Sequence, residues 1–285
     1  MEFYKLLQYV QKLEIHCKRI AGQKLSGIFI SRFKGRGMIL DSVRKYDVAD
    51  DVRNINWSVT AKFLETHVNT YIEDKEQLFW IIIDVSKSSI FGTGLLNKLD
   101  LTIQIAASIA YSALESKNAV GIIFFNQNIK SIIPPARGKN HFWRIAKELV
   151  NTQPSGTGTD LSKTLSYLSK TLKKPSNLFI ISDFMTEGYA PICKILAQKH
   201  EISAVRVYDS AELNLPPLGW LKLKDAENDR SYWFNSSKSE FNGHYGIAHT
   251  HQVAEFDFFA QNGHKSVSLS TGSENLSQLI DFLQR

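Results

Sequence analysis

Asp84, Ser86 and Ser88 stand at alternate positions directly after the apolar run Leu78-Phe79-Trp80-Ile81-Ile82-Ile83. A carboxylate and two hydroxyls are hard oxygen donors, and with no thiolate or imidazole beside them they suit Mg2+, Mn2+ or Ca2+ rather than zinc or copper. The same residue types also cap helices and close turns by bonding the backbone, so this spacing alone is weak. Two further stretches bring like chemistry. Gly156-Thr157-Gly158-Thr159-Asp160 is a glycine-rich turn ahead of a helical pattern, and Leu178-Phe179-Ile180-Ile181-Ser182-Asp183 is a second apolar run that stops at a carboxylate. Unbroken apolar runs rich in β-branched and aromatic residues read as central parallel strands covered on both faces. In an open α/β sheet, ligands sit beyond the carboxyl ends of such strands, which is where these oxygens fall.

Together Asp84, Ser86, Ser88, Thr159 and Asp183 resemble the metal-ion-dependent adhesion site of von Willebrand factor A domains, in which D-x-S-x-S, a Thr after a Gly turn and an Asp after a later strand surround one divalent cation. The resemblance implies Mg2+ or Mn2+, with Ca2+ possible, and Thr159 and Asp183 acting through water. It also implies an open coordination position for a partner's Asp or Glu, so that the metal bridges two proteins rather than catalysing a reaction. Lys87, inside the loop, adds positive charge beside it.

The stretch 40–62 holds the other acidic pair, Asp50-Asp51, flanked by Arg44 and Arg53. Adjacent Asp residues next to Arg suggest an ion-paired turn braced by bidentate contacts rather than a tuned acid pair, and Trp57 suggests a core anchor. This stretch resembles the signature of domain-of-unknown-function family 58, approximately R-x-Y-x-x-G-D-D-x-R-x-I-D-W-x-x-T-A-R, which runs into a von Willebrand A-like domain. Arg44, Tyr46, Asp50, Asp51, Arg53, Ile55, Trp57, Thr60 and Ala61 match in register, while Ala49, Asn56 and Lys62 depart from it. Alanine at 49 suggests a turn that needs no positive φ there. A second match, Asp209, Glu212, Leu215, Pro216 and Gly219, extends the resemblance over most of the chain. It implies a MoxR-type AAA+ ATPase as partner, and membrane-bound von Willebrand A proteins of the same system as further ones.

The fold class expected is α/β: a doubly wound, mostly parallel sheet with one antiparallel edge strand, plus an N-terminal helix and a β extension. Residues 1–76 would brace the core, and residues 77–285 would form the von Willebrand A-like domain with a hairpin insertion near 219–234. The period of the apolar residues predicts helices over 2–20, 98–116, 141–150, 161–172, 191–200, 236–261 and 275–284. Strands are expected at 28–30, 120–125, 202–208 and 267–269, with 129–133 returning antiparallel until Pro134-Pro135 ends it.

Lys+Arg 34 against Asp+Glu 28 gives a net charge of +6, a mild bias that a solvated surface explains without nucleic acid. No run approaches the ~20 apolar residues of a membrane span, and no signal peptide is visible. Cys17 and Cys193 have no metal-like spacing, which fits a reduced, cytoplasmic chain, and the family resemblance implies that it meets the inner membrane through its partners. His244, His249, His251 and His264 lack a third ligand, and the five Trp residues read as core packing. Without a Walker A motif, a G-x-S-x-G elbow or a Cys/His pair, the expectation is a binding protein and not an enzyme. The alternatives are a metal-dependent hydrolase of phosphate esters and a basic nucleic-acid binder.

Overall fold

The computed structural model describes residues 2–8, 11, 37–74, 77–94, 96–156, 158–213, 219–224, 231–235, 255–272 and 275–284. The chain divides into two compact units, Ile30–Gln77, and Met1–Phe29 together with Leu78–Arg285.

In the smaller unit, β1 (Gly37–Lys45) pairs antiparallel with β2 (His67–Asp74), and the register shifts between Leu40 and Ser42. Between them in sequence lies α1 (Trp57–Phe63). Asn56 caps it by accepting from the Val59 amide at 3.1 Å, and its own amide donates to Asn69 at 2.8 Å. Asparagine at this position is therefore a helix cap. Arg44 forks onto Asp50 at 2.7 and 2.5 Å, while Arg53 reaches Asp51 at 2.6 to 3.1 Å, the ion-paired turn that the residue types suggest. Ala49 is not among the residues with positive φ. Trp57 departs from expectation. It is 70% exposed, because it opens a seven-residue helix that buries none of its side chains.

The larger unit is built on a six-stranded sheet, β3 (Leu78–Asp84), β4 (Ala119–Phe125), β5 (Ile129–Ala136), β6 (Asn177–Ser182), β7 (Glu201–Tyr208) and β10 (Lys265–Ser270). Their order is β10-β7-β6-β3-β4-β5, all parallel except β5 at the edge. Successive residues of a strand point to opposite faces, so apolar side chains on both faces need two covering layers. On one face Phe79, Ile81 and Ile83 of β3 join Val120, Ile122 and Phe124 of β4 beneath α2 (Lys98–Glu115), α3 (Lys139–Asn151) and α7 (Leu276–Gln284). On the other, Trp80 and Ile82 join Leu178 and Ile180 beneath α4 (Leu161–Thr171), α5 (Ala190–Ala197) and the helical stretch 255–261. This is a doubly wound α/β sheet. Its strand order reverses at β3, which has β4 on one side and β6 on the other.

A second hairpin, β8 (Trp220–Lys224) with β9 (Ser231–Asn235), forms where the sequence pattern predicts one. Pro134 and Pro135 lie inside β5 instead of ending it. On an edge strand a missing N–H costs nothing when it would face solvent, and the register shift between Val120 and Ile122 takes up the irregularity. Of the five Trp residues only Trp80 is buried, whereas Trp57, Trp143, Trp220 and Trp233 are 45 to 70% exposed. Their core role fails because the short helix α1, the outer side of α3 and the hairpin have open faces. Residues 3–8 are helical with Leu6 in the core, and the rest of the expected helix to residue 20, except 11, the strand at 28–30 and residues 236–254 lie outside the described residues. Among the described residues, no helix is long and apolar enough to cross a membrane.

Candidate metal centre

The carboxyl ends of β3 and β6 are adjacent at the point where the strand order reverses, and each ends at a buried carboxylate. Asp84 Oδ1 accepts from the Ser86 amide at 2.9 Å, and Oδ2 accepts from the Ser182 hydroxyl at 2.8 Å. The Ser86 and Ser88 hydroxyls are 2.9 Å apart, and Ser88 donates to Asp183 Oδ2 at 3.0 Å. Either hydroxyl can donate across the Ser86–Ser88 contact, and the Ser86 hydroxyl also bonds the Asp84 carboxylate. Ser86 is fully buried, so its hydroxyl faces the recess and not bulk water.

Local backbone geometry holds this cluster. Phe184, directly after Asp183, has φ +56°, a left-handed conformation that costs a non-glycine residue about 1 kcal/mol or more. Its amide donates to Ser182 Oγ at 3.0 Å and the next amide, of Met185, donates to Asp183 Oδ1 at 3.1 Å. Burial of the Phe184 ring against Tyr189, Phe256 and Phe259 holds the turn in place. The glycine-rich turn is fixed by β4: Asn126 donates to the Ser155 carbonyl at 2.6 Å and accepts the Asp160 amide at 3.0 Å. At Gly156, with φ +94°, a Cβ would run into the Asn126 amide.

Four of the five sequence-identified residues, Asp84, Ser86, Ser88 and Asp183, line one recess of about 10 Å3, room for a single water-sized species. Thr159 does not line it. Its carbonyl accepts from Thr186 at 3.4 Å, which ties the turn to the loop after β6, while its hydroxyl makes no bond to the cluster.

Sequence reasoning missed Lys98 and Glu212. Lys98, the first residue of α2 and only 2% exposed, places its ammonium 2.9 Å from Asp183 Oδ2 and 2.6 Å from Glu212 Oε1. The signal available was a lysine opening a helix that is otherwise almost wholly apolar, and a glutamate inside the second signature run. Glu212 is oriented in turn by the Asp209 amide, 3.1 Å from its Oε2, at the start of the single turn α6 (Ser210–Leu213). Asp209 is fully buried and accepts from the Thr93 amide and hydroxyl at 2.8 Å, the Ala211 amide at 2.9 Å and the Thr271 hydroxyl.

The two site carboxylates are electrostatically unlike. Burial, followed by the nearby charge of Asp183, pushes Asp84 up to about 7. Burial would push Asp183 up as well, but the Lys98 ammonium outweighs it and holds that carboxyl below its ordinary range. Among the described residues Asp84 thus meets only neutral donors and no contacting cation, with the hydroxyl oxygens of Ser86 and Ser88 in the same recess. That donor set fits a small hard cation. A groove of about 220 Å3 is larger, but among the described residues its lining is mainly apolar, with Glu115 as its one carboxylate.

A family model described as "Protein of unknown function DUF58" matches residues 42–255. The chain belongs to the DUF58 family. Among curated relatives, uncharacterised proteins of Mycobacterium tuberculosis and Mycobacterium bovis are 27% identical over 284 residues, covering 98% of this DUF58 chain and 89% of theirs. Among solved structures, the conserved hypothetical protein BatB from Bacteroides thetaiotaomicron overlaps 73% of this chain and 97% of its own, with 12% identity and a TM-score of 0.48. The SpRpn10 VWA domain overlaps 74% and 98%, with 10% identity and a TM-score of 0.39.

Proposed function

We propose that this DUF58 protein is an interaction module that binds a partner through a divalent cation, Mg2+ or Mn2+, held at the carboxyl edge of its sheet. Asp84 and Ser86 are the direct ligands, with Ser88 beside them and Asp183 and Thr159 acting through water. Ca2+ is compatible with the same oxygens. The observation that carries this reading is Asp84: a buried carboxyl raised to about 7, with no cation in contact among the described residues and the hydroxyls of Ser86 and Ser88 in the same recess. When bound, the cation supplies the counter-charge for Asp84 and a vacant position for an acidic side chain of the partner.

The family resemblance points to a MoxR-type AAA+ ATPase as that partner, and to membrane-bound von Willebrand A proteins of the same system as additional ones. The chain then serves as a cytoplasmic adaptor in chaperone-like assembly or envelope maintenance, reaching the inner membrane only through its partners. Nucleic acid has no part in this reading. Capture of the cognate ATPase by the purified chain should occur in Mg2+, and should disappear in chelator and in Asp84→Ala. Capture that survives both treatments would contradict a metal bridge.

A metal-dependent hydrolase of phosphate esters is the second reading, because a carboxyl that titrates near neutrality suits acid/base work. Against it, the one cation among the described residues that line the recess, Lys98, is already held by Asp183 and Glu212 and is not free to receive a phosphate group. Hydrolysis of a generic phosphate ester in Mn2+, abolished by Asp84→Ala, would reverse this preference.

A further inference from the structure

Lys98 occupies a position that works against a charged amine. It is buried, and it opens α2, where the helix dipole presents positive potential and disfavours a cation. Two carboxylates, Asp183 and Glu212, offset those costs. Their placement is uneven in consequence. Asp183 Oδ2, the oxygen that faces Ser88, accepts from both the Ser88 hydroxyl and the Lys98 ammonium, while Oδ1 accepts from the Met185 amide. Asp183 Oδ2 thus already accepts two hydrogen bonds at the recess, one of them from a cation.

We propose that Lys98 is a tethered competitor for the site: its ammonium and a divalent cation engage Asp183 as alternatives, and Glu212 is the seat on which the ammonium stays when Asp183 is released. This inference rests on the metal reading above. Two like charges drawn to one carboxylate in a closed recess repel strongly, so the ion enters at the expense of the Lys98–Asp183 contact. The tether keeps the metal-free site folded and makes it a weak site, one that fills only at high ion concentration or when a partner's acid adds its own binding energy. Glu212 acts in the opposite sense to Lys98, because a second carboxylate is what lets the ammonium leave Asp183 without being stranded.

The test is calorimetric titration of Mn2+ into chelator-stripped wild type, Lys98→Gln and Glu212→Gln, with melting curves in Mn2+ and in chelator. Glutamine keeps a donor to both carboxylates and removes only the charge. Lys98→Gln should bind Mn2+ about tenfold more tightly than wild type or better, and its melting temperature should rise more on adding Mn2+. Glu212→Gln, which confines the ammonium to Asp183, should bind more weakly. A purely structural role for Lys98 would instead lower the melting temperature without tightening binding. Equal or weaker affinity in Lys98→Gln, with wild type still binding, overturns the competition and leaves the metal site standing. Absence of binding in all three overturns both. If Lys98→Gln does not fold, Glu212→Gln decides: weaker binding supports the competition, and unchanged affinity overturns it.

Discussion

Asp84 with Asp183 at the sheet edge, and Asp50 with Asp51 in the turn after β1, are two acidic pairs in contrasting settings. Each has basic partners near, yet they behave oppositely. In the turn, hydrogen bonds from Arg44 and Arg53 hold Asp50 below its ordinary range and bring Asp51 down to about 2. At the sheet edge, burial dominates: Asp183 is held down only because Lys98 is there, and Asp84, with no cation of its own, is pushed up to about 7. A paired carboxylate in water is finished chemistry, whereas a buried carboxylate without a counter-charge is a site that still has something to bind. The residue type is the same in both places, so burial and the cations in contact distinguish them.

The contrast can be broken most severely at Asp209, a buried carboxylate that accepts four hydrogen bonds from neutral donors and orients Glu212. Asp209→Ala would strand those donors and should destabilise the protein by about 3 kcal/mol in urea unfolding. A loss below about 1 kcal/mol would mean the edge is less tightly built than its hydrogen bonds imply.

The two pairs should also answer pH with opposite signs. Above about pH 4 the unfolded chain releases the Asp84 proton while the folded chain holds it to about 7, so in chelator stability should fall as pH rises through that window. Asp50 and Asp51, lowered in the folded state, contribute stability above the ordinary carboxylate range and lose it as pH falls. Melting temperatures of wild type and Asp84→Asn between pH 5 and about 8 would check the first sign, with a flatter profile expected for the variant. The smallest effect belongs to the exposed turn. Asp51→Asn should lower the melting temperature only slightly and leave Mn2+ affinity unchanged, and a drop in affinity would move the candidate site away from the sheet edge.

Much of this architecture was legible in the residues. The apolar runs of β3 and β6, each stopping at Asp, predicted central strands whose carboxyl ends meet, because uninterrupted apolar β-branched sequence has few other solutions. The bidentate character of the Arg44–Asp50 and Arg53–Asp51 turn was equally readable from adjacency. What sequence could not convey was direction. Lys98 opens a helix like many surface lysines, and only the packing of α2 on β3, β4 and β7 turns its side chain into the recess. Glu212 stood in a recognised run without a role, since its partner lies 114 positions away. Thr159 matched the pattern, yet its turn is anchored through backbone groups to Asn126 and Thr186. Trp57 was misread because a large aromatic predicts burial on average, and a short exposed helix gives it nothing to pack against.

The central claim is that Asp84 is one ligand of a divalent cation. Calorimetric titration of Mg2+ and Mn2+ into chelator-stripped wild type and Asp84→Ala, both shown to be folded by their melting curves, tests it most directly. Saturable binding by wild type that is lost in Asp84→Ala is the predicted result. No binding by folded wild type, or equal binding by Asp84→Ala, would contradict it.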